Sequence, residues 1–165
     1  MNPTGQELER VAAATLQDYA DRAESFREGT RDHDVSQNIT ALLRYIEAGP
    51  PAANLDFGCG PGRDLKTFAR LGHAAVGLEG CARFAAMARA EGSEVWEQNF
   101  LDLDLPDARF DGIFANASLF HVASQELARS PAVASDAEIA WRAVQLEPAW
   151  PKRGRLVSRA LLRLS

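Results

Sequence analysis

The sequence predicts an open α/β fold, a doubly wound parallel sheet, on three observations. Residues 54–64, Asn-Leu-Asp-Phe-Gly-Cys-Gly-Pro-Gly-Arg-Asp, read as a short buried strand, a glycine-rich turn and the start of a helix. From there to Ala115, short apolar runs alternate with helical patterns, the succession that builds parallel sheets with right-handed crossovers. An acid, Glu79, ends the next strand about 20 residues beyond the glycines, a spacing shared by nucleotide-cofactor folds.

The elements follow in order. Over 6–27 Leu16, Tyr19, Ala20, Ala23 and Phe26 recur at three- and four-residue steps and predict one amphipathic helix, ended by Gly29-Thr30. Asp34 and Gln37 form a capping pair before a second apolar stripe, Val35, Ile39, Leu42, Leu43 and Ile46, which Gly49-Pro50-Pro51 stops. In the turn, Gly58, Gly60 and Gly62 remove every second side chain, so the backbone can fold tightly and approach a ligand. The following helix directs its first N–H groups toward the same space. Asp56, at the end of the strand, places a carboxylate beside that pocket.

Leu65, Phe68 and Ala69 face the sheet, and 74–78 is a second strand. A helix over 80–90 presents Phe84, Met87 and Ala88, and 94–98 is the third strand. Residues 99–106 form a loop in which Asp102 and Asp104 are solvated turn residues. The fourth strand, 110–115, delivers Asn116–His121 at its carboxyl end, where ligands of open α/β sheets bind. A dinucleotide fingerprint would need glycine where Arg63 stands, which disfavours a nicotinamide-dependent oxidoreductase.

The run L-D-F-G-C-G-P-G followed by V-G-L-E resembles motif I and the second strand of class I S-adenosylmethionine (SAM)-dependent methyltransferases. Y-A-D-R-A-E-S-F resembles the leading helix that covers their cofactor pocket. F-D-G-I-F-A-N-A-S-L-F-H-V resembles their fourth motif, which lines the methionine end of SAM and the substrate mouth. The resemblance spans about residues 16–128 and implies a Rossmann-like sheet, SAM as cofactor and a small-molecule methyl acceptor as partner. By that resemblance Asp56, Gly58, Gly60 and Gly62 shape the cofactor seat, with Cys59 packed inside the turn. Glu79 takes both ribose hydroxyls, Asn99 and Phe100 hold the adenine, and Asn116 flanks the methionyl group. Family members usually carry an acid where Asn99 stands, and its side-chain oxygen can accept the same bond. His121 is read either as a base on an acidic hydroxyl acceptor or as a polar rim residue. His33 and His73 lack metal-ligand spacing, so no metal is expected. The function implied is methyl transfer; the alternative is a SAM-binding remnant that does not catalyse.

Composition bounds the partners. The 165 residues suit one domain, and 46% apolar with 25% charged residues is ordinary for a globular chain. No apolar run approaches the ~18 residues of a membrane span, and residues 1–10 lack the apolar core of a signal peptide. Two cysteines make no disulfide framework, so a cytoplasmic location is expected. A formal charge of −5 disfavours nucleic-acid binding. Oligomeric state is not legible.

The pattern fails after residue 128. The family's sheet has seven strands, and the three beyond Ala115 need roughly 60–90 residues where the sequence holds 50. The fold is therefore read as a sheet cut short after its fourth strand, with a SAM-binding domain at 1–128 and an atypical tail at 129–165. The tail has a capping box at Ser135 and Glu138, breaks at Pro148 and Pro151, and ends in a basic, acid-free stretch containing Arg155, Arg159 and Arg163. A frameshift accounts for it: one nucleotide later, Trp141 and Trp150 become glycine. Allowed codons then read L-R-A-T-L-K-S-P-G-G-R-F-N-S-N-P-R-G, which resembles the family's next helix, turn and strand. Catalysis would on that reading be weak or absent.

Overall fold

A computed structural model describes residues 4–46, 49–106 and 108–118 of the chain. In chain order the elements are α1 (Gly5–Asp21), α2 (Ala23–Thr30), α3 (Ser36–Tyr45), β1 (Ala53–Phe57), α4 (Arg63–Arg70), β2 (Ala74–Glu79), α5 (Ala82–Ala90), β3 (Val95–Glu97) and β4 (Gly112–Phe114). The strands form one sheet in the order β3-β2-β1-β4, and every pairing is parallel. Chain order therefore runs outward through β1, β2 and β3 and then reverses to β4. The reversal leaves a crevice at the carboxyl ends of β1 and β4, where open α/β sheets bind ligands. The tail readings, including its capping box and frameshift, and His121 lie outside the described residues.

Alternation along the strands explains the two packed faces. In β1, Leu55 and Phe57 point to one side, where Leu78 and apolar residues of the 99–110 segment cover them. Asn54 and Asp56 point to the helical side. There Phe68 of α4 meets Ile39 and Leu42 of α3 and packs edge-on against Phe114 of β4. Gly77 in β2 makes room for Cys59: a Cβ there would lie 2.5 Å from its sulfur. Cys59 thus packs with Leu65, Ala85, Ala88 and Val95. The β3-to-β4 crossover carries no helix among the described residues. Gln98 pins it instead, donating to the Asp104 carbonyl and accepting from the Asp104 N–H, both at 2.9 Å.

Two expectations change in detail. The single helix over 6–27 breaks at Arg22, whose backbone (φ −106°, ψ 12°) leaves the helical region and separates α1 from α2. The break lets Ala23 enter the core beside Cys81 and Phe84, while α1 buries no residue fully. Asp34 and Gln37 form no capping box: Val35 is the cap residue, and the Asp34 carboxylate accepts from the Ser36 N–H. A real capping box stands at Thr4 and Glu7, with Glu7 accepting from the Thr4 N–H at 2.7 Å.

Candidate functional site

A cavity of about 460 Å³ opens over the carboxyl ends of the strands, between the sheet and α1–α2. Its volume falls within the ~300–1,000 Å³ of small-molecule pockets. The strand order lays out its floor. Asn99 and Phe100 lie on the β3 side, Glu79 and the glycine turn in the middle, and Asn116 and Ser118 on the β4 side. Leu16, Tyr19 and Phe26 from α1 and α2 form the roof.

Glu79 is the hub. It is 7% exposed, and its carboxylate accepts the Gly60 N–H on one oxygen and the Cys81 N–H on the other, both at 2.8 Å. One side chain thereby ties the glycine turn to the turn entering α5. Burial pushes its carboxyl above the usual range, against the N–H bonds of Cys81, Gly60 and Gly80 that favour the charged form. The lone-pair sites that these N–H groups do not use remain for a ligand hydroxyl.

The three glycines do different things. A Cβ on Gly58 would sit 2.4 Å from the Ser118 Cβ, and one on Gly62 would sit 2.8 Å from the Ala88 Cβ. Those two glycines let protein pack on protein. A Cβ on Gly60 (φ +54°) would meet nothing nearer than Phe26, at 4.0 Å, so that missing side chain is open cavity. The sequence reads all three as shaping the cofactor seat; at Gly60 the absent side chain leaves open space in the cavity.

Asp56 stands apart from the cavity wall, at 2% exposure beneath the turn, with Oδ2 lacking a hydrogen-bond partner. Burial raises its carboxyl well above the usual range, and Asp64 and Glu79 raise it further against the opposing pull of Arg63. It thus lies beneath the pocket where the sequence reading put it beside. Cys59 is buried, and burial first, then Asp56 and Glu79, pushes its thiol far up, which leaves it unreactive. Asn99 is exposed, and its side-chain oxygen already accepts the Leu101 N–H at 3.0 Å. Phe100 stacks on Phe57 with centroids 4.4 Å apart. Asn116 is half-buried in the cavity wall, and beyond it Ala117 adopts a left-handed φ of +57°. That turn returns Ser118, whose hydroxyl donates to the Phe57 carbonyl.

Arg63, Asp64 and His33 also line the cavity, and the sequence reading assigned none of them to it. Arg63 counted only as a missing glycine, and no local pattern marks His33, which arrives through the α2–α3 turn. The other described histidine is structural: His73 Nδ1 accepts from the Ala52 N–H at 3.2 Å. Among the described residues no group of three or more His, Cys, Asp or Glu side chains could hold a metal.

This geometry agrees with comparison to known proteins. A family model described as Methyltransferase domain matches residues 55–133. Those residues are similar to a methyltransferase domain. Their sheet and flanking helices have the Rossmann-like fold of class I SAM-dependent methyltransferases, as solved structures show. Phosphoethanolamine N-methyltransferase 1 of Haemonchus contortus, in complex with phosphoethanolamine and S-adenosylhomocysteine, superposes with a TM-score of 0.61 at 12% identity. That superposition covers 84% of this chain and 31% of that one. A TehB-like SAM-dependent methyltransferase of Corynebacterium glutamicum gives 0.56 at 20% identity, covering 78% and 68%. The 1,6-didemethyltoxoflavin-N1-methyltransferase of Burkholderia thailandensis, with bound 1,6-didemethyltoxoflavin and S-adenosylhomocysteine, gives 0.54 at 25% identity, covering 76% and 56%. The chain thus spans from about a third to two thirds of these proteins. No curated protein gives a significant match.

Proposed function

We propose that the methyltransferase domain seats SAM in this cavity and transfers its methyl group to a small-molecule acceptor. The observation that carries the reading is Glu79: a buried carboxylate with lone pairs to spare, fixed by two backbone bonds at the cavity floor beside the open position of Gly60. In this reading Glu79 accepts the ribose hydroxyls, and Asn99 and Phe100 flank the adenine. Asp56 supports the glycine turn of Gly58, Cys59, Gly60 and Gly62 from beneath, and Asn116 faces the methionyl end. The fit is chemical as well as steric. Asp64 and Glu79 outnumber Arg63 around the turn, an excess of acid that suits a cationic sulfonium.

When bound, SAM supplies a methyl carbon already activated for attack by an acceptor lone pair. The chain's task is orientation and the exclusion of water, which supply most of the acceleration in such transfers. Leu16, Tyr19 and Phe26 do the second from the roof. His121 is the proposed base if the acceptor carries an acidic hydroxyl.

The domain reading takes residues 1–128 as the cofactor-binding unit and 129–165 as an atypical tail; a frameshifted tail would go with the non-catalytic remnant. Transfer from methyl-labelled SAM into a pool of small metabolites tests the proposal. Label recovered in a small acceptor supports catalysis. SAM binding without any transfer favours the non-catalytic remnant.

A further inference from the structure

His33 reaches the cavity through the turn between α2 and α3, and that turn is pinned. The Thr30 carbonyl accepts from the His33 N–H at 3.2 Å and from Arg63 Nη1 at the same distance, which ties the turn to the start of α4. Two residues on, Val35 is the N-cap residue of α3, whose Ile39 and Leu42 pack with Phe114 of β4. His33 therefore enters from the α3–β4 side, where Asn116 lies, across the floor from Asn99 and Phe100. The residue is exposed, and its ring makes no hydrogen bond among the described residues.

The other titratable groups that the described residues bring to the cavity are committed elsewhere. Both Asp64 oxygens accept from Arg63, at 2.7 and 2.9 Å, and Glu79 accepts the Gly60 and Cys81 N–H groups. Burial, then Glu79, raises the Tyr19 hydroxyl above its usual range, and burial takes the Cys59 thiol far up. The charge around His33 is acidic. Asp32 and Asp34 flank it in the turn, and Asp34 is held below the usual carboxylate range, first by the Ser36 N–H. Arg31 is paired with Glu28 and Asp32, and Arg63 with Asp64. Arg63 and Arg70 of α4 also act on Asp34. Glu28, Asp32, Asp34 and Asp64 thus outnumber Arg31, Arg63 and Arg70 at this end.

We infer that the methyl acceptor is a small amine that arrives as its ammonium, and that His33 is the base that frees its lone pair. An acid-rich mouth attracts a cation and repels a carboxylate or a phosphate. An ammonium has no lone pair, so a proton must leave before the methyl can be taken. The N–H bond breaks with its electron pair left on nitrogen, and the proton passes to a ring nitrogen of His33. That lone pair then forms the N–CH3 bond as the S–CH3 bond breaks, its pair going to sulfur to leave the thioether. An imidazole exchanges protons near neutral pH, and an exposed one returns the proton to solvent after each transfer. The buried carboxylates of Asp64 and Glu79 lack that outlet.

The inference rests on the methyl-transfer reading, and one assay separates the two claims. The full chain is incubated with methyl-labelled SAM and, separately, the cationic and anionic fractions of a small-metabolite extract, and fragmentation mass spectrometry locates the label. Label on nitrogen, in the cationic fraction, is the expected result. Label on oxygen or carbon, or in the anionic fraction alone, overturns the inference and leaves methyl transfer standing. No label in either fraction removes methyl transfer as well, and this inference falls with it. With the acceptor so found, His33→Gln should lower kcat about a hundredfold near pH 7 while SAM affinity stays within about threefold. The deficit should close toward about pH 10, where an alkyl amine sheds its own proton, and added imidazole should restore part of the rate. A deficit of equal size at every pH, or SAM affinity lost in step with the rate, gives His33 a structural part only and overturns its role as base.

Discussion

At the scale of single residues, the account turns on buried carboxylates whose ionisation opposes folding. Glu79 and Asp56 both have folded-state pKa values raised above their unfolded ones, chiefly by burial. In the window between those values the folded state holds more protons, so their stabilising contribution is full at low pH and declines as pH rises through the folded pKa. Asp56→Asn should therefore flatten the fall in urea-unfolding stability as pH rises above the ordinary carboxylate range; an unchanged slope contradicts the assignment. Ligand binding has the opposite sign. Ribose hydroxyls donate to the ionised Glu79, so SAM affinity should increase with pH across its raised titration range, with proton release. Glu79→Ala should weaken SAM by about 1.5–3 kcal/mol per charge-assisted bond removed, less what water restores. It also orphans the Gly60 and Cys81 N–H groups, so Glu79→Gln, which keeps one acceptor oxygen, is the companion variant. Asp102→Ala removes an exposed turn carboxylate and should change binding by nearly nothing. Equal losses at the two positions would refute the role of Glu79.

At the scale of elements, the glycine turn separates stability from binding. Gly62→Ala forces a side chain into φ +89° and against Ala88 of α5, and should cost about 1–3 kcal/mol in denaturant unfolding. Gly60→Val projects into empty cavity and should abolish SAM binding while circular dichroism retains most of the helix signal. If Gly60→Val binds SAM normally, the turn is structural only. This division of labour was not legible in the sequence, where three alternate glycines look alike; what a Cβ would strike depends on α5 and on Ser118, both distant in the chain. The strands were legible because buried parallel strands read as short apolar runs between helical stripes. The break at Arg22 was hidden because Ala20, Ala23 and Phe26 keep one helical period across it, and it is Ala23 packing under Phe84 that decides the geometry. Ser36 and His33 likewise depend on how α2 meets α3, which no local pattern records.

At the scale of the molecule, the described core centres on Phe68, fully buried between α3 and β4. Phe68→Ala should cost about 3–5 kcal/mol, and a loss below 1 kcal/mol in urea unfolding would show that the α3–α4 layer is not packed as described. The tail from 129 is decided elsewhere, by the nucleotide sequence: a +1 frame without a glycine turn and β-rich strand after Leu127 rules out the frameshift. Several elements that line the cavity were legible, because alternate glycines after a strand and an acid ending the next strand are local signals. Arg63, Asp64 and His33 were not, because their place in the cavity is set by helices that close over the sheet. The central claim, that this cavity is built for SAM, is tested most directly by calorimetric titration of the wild-type chain with SAM, S-adenosylhomocysteine, NADH and NADPH. The account predicts one-to-one binding of the first two and no measurable heat from the dinucleotides. Dinucleotide binding as tight as SAM, or no binding of SAM at all, would contradict it.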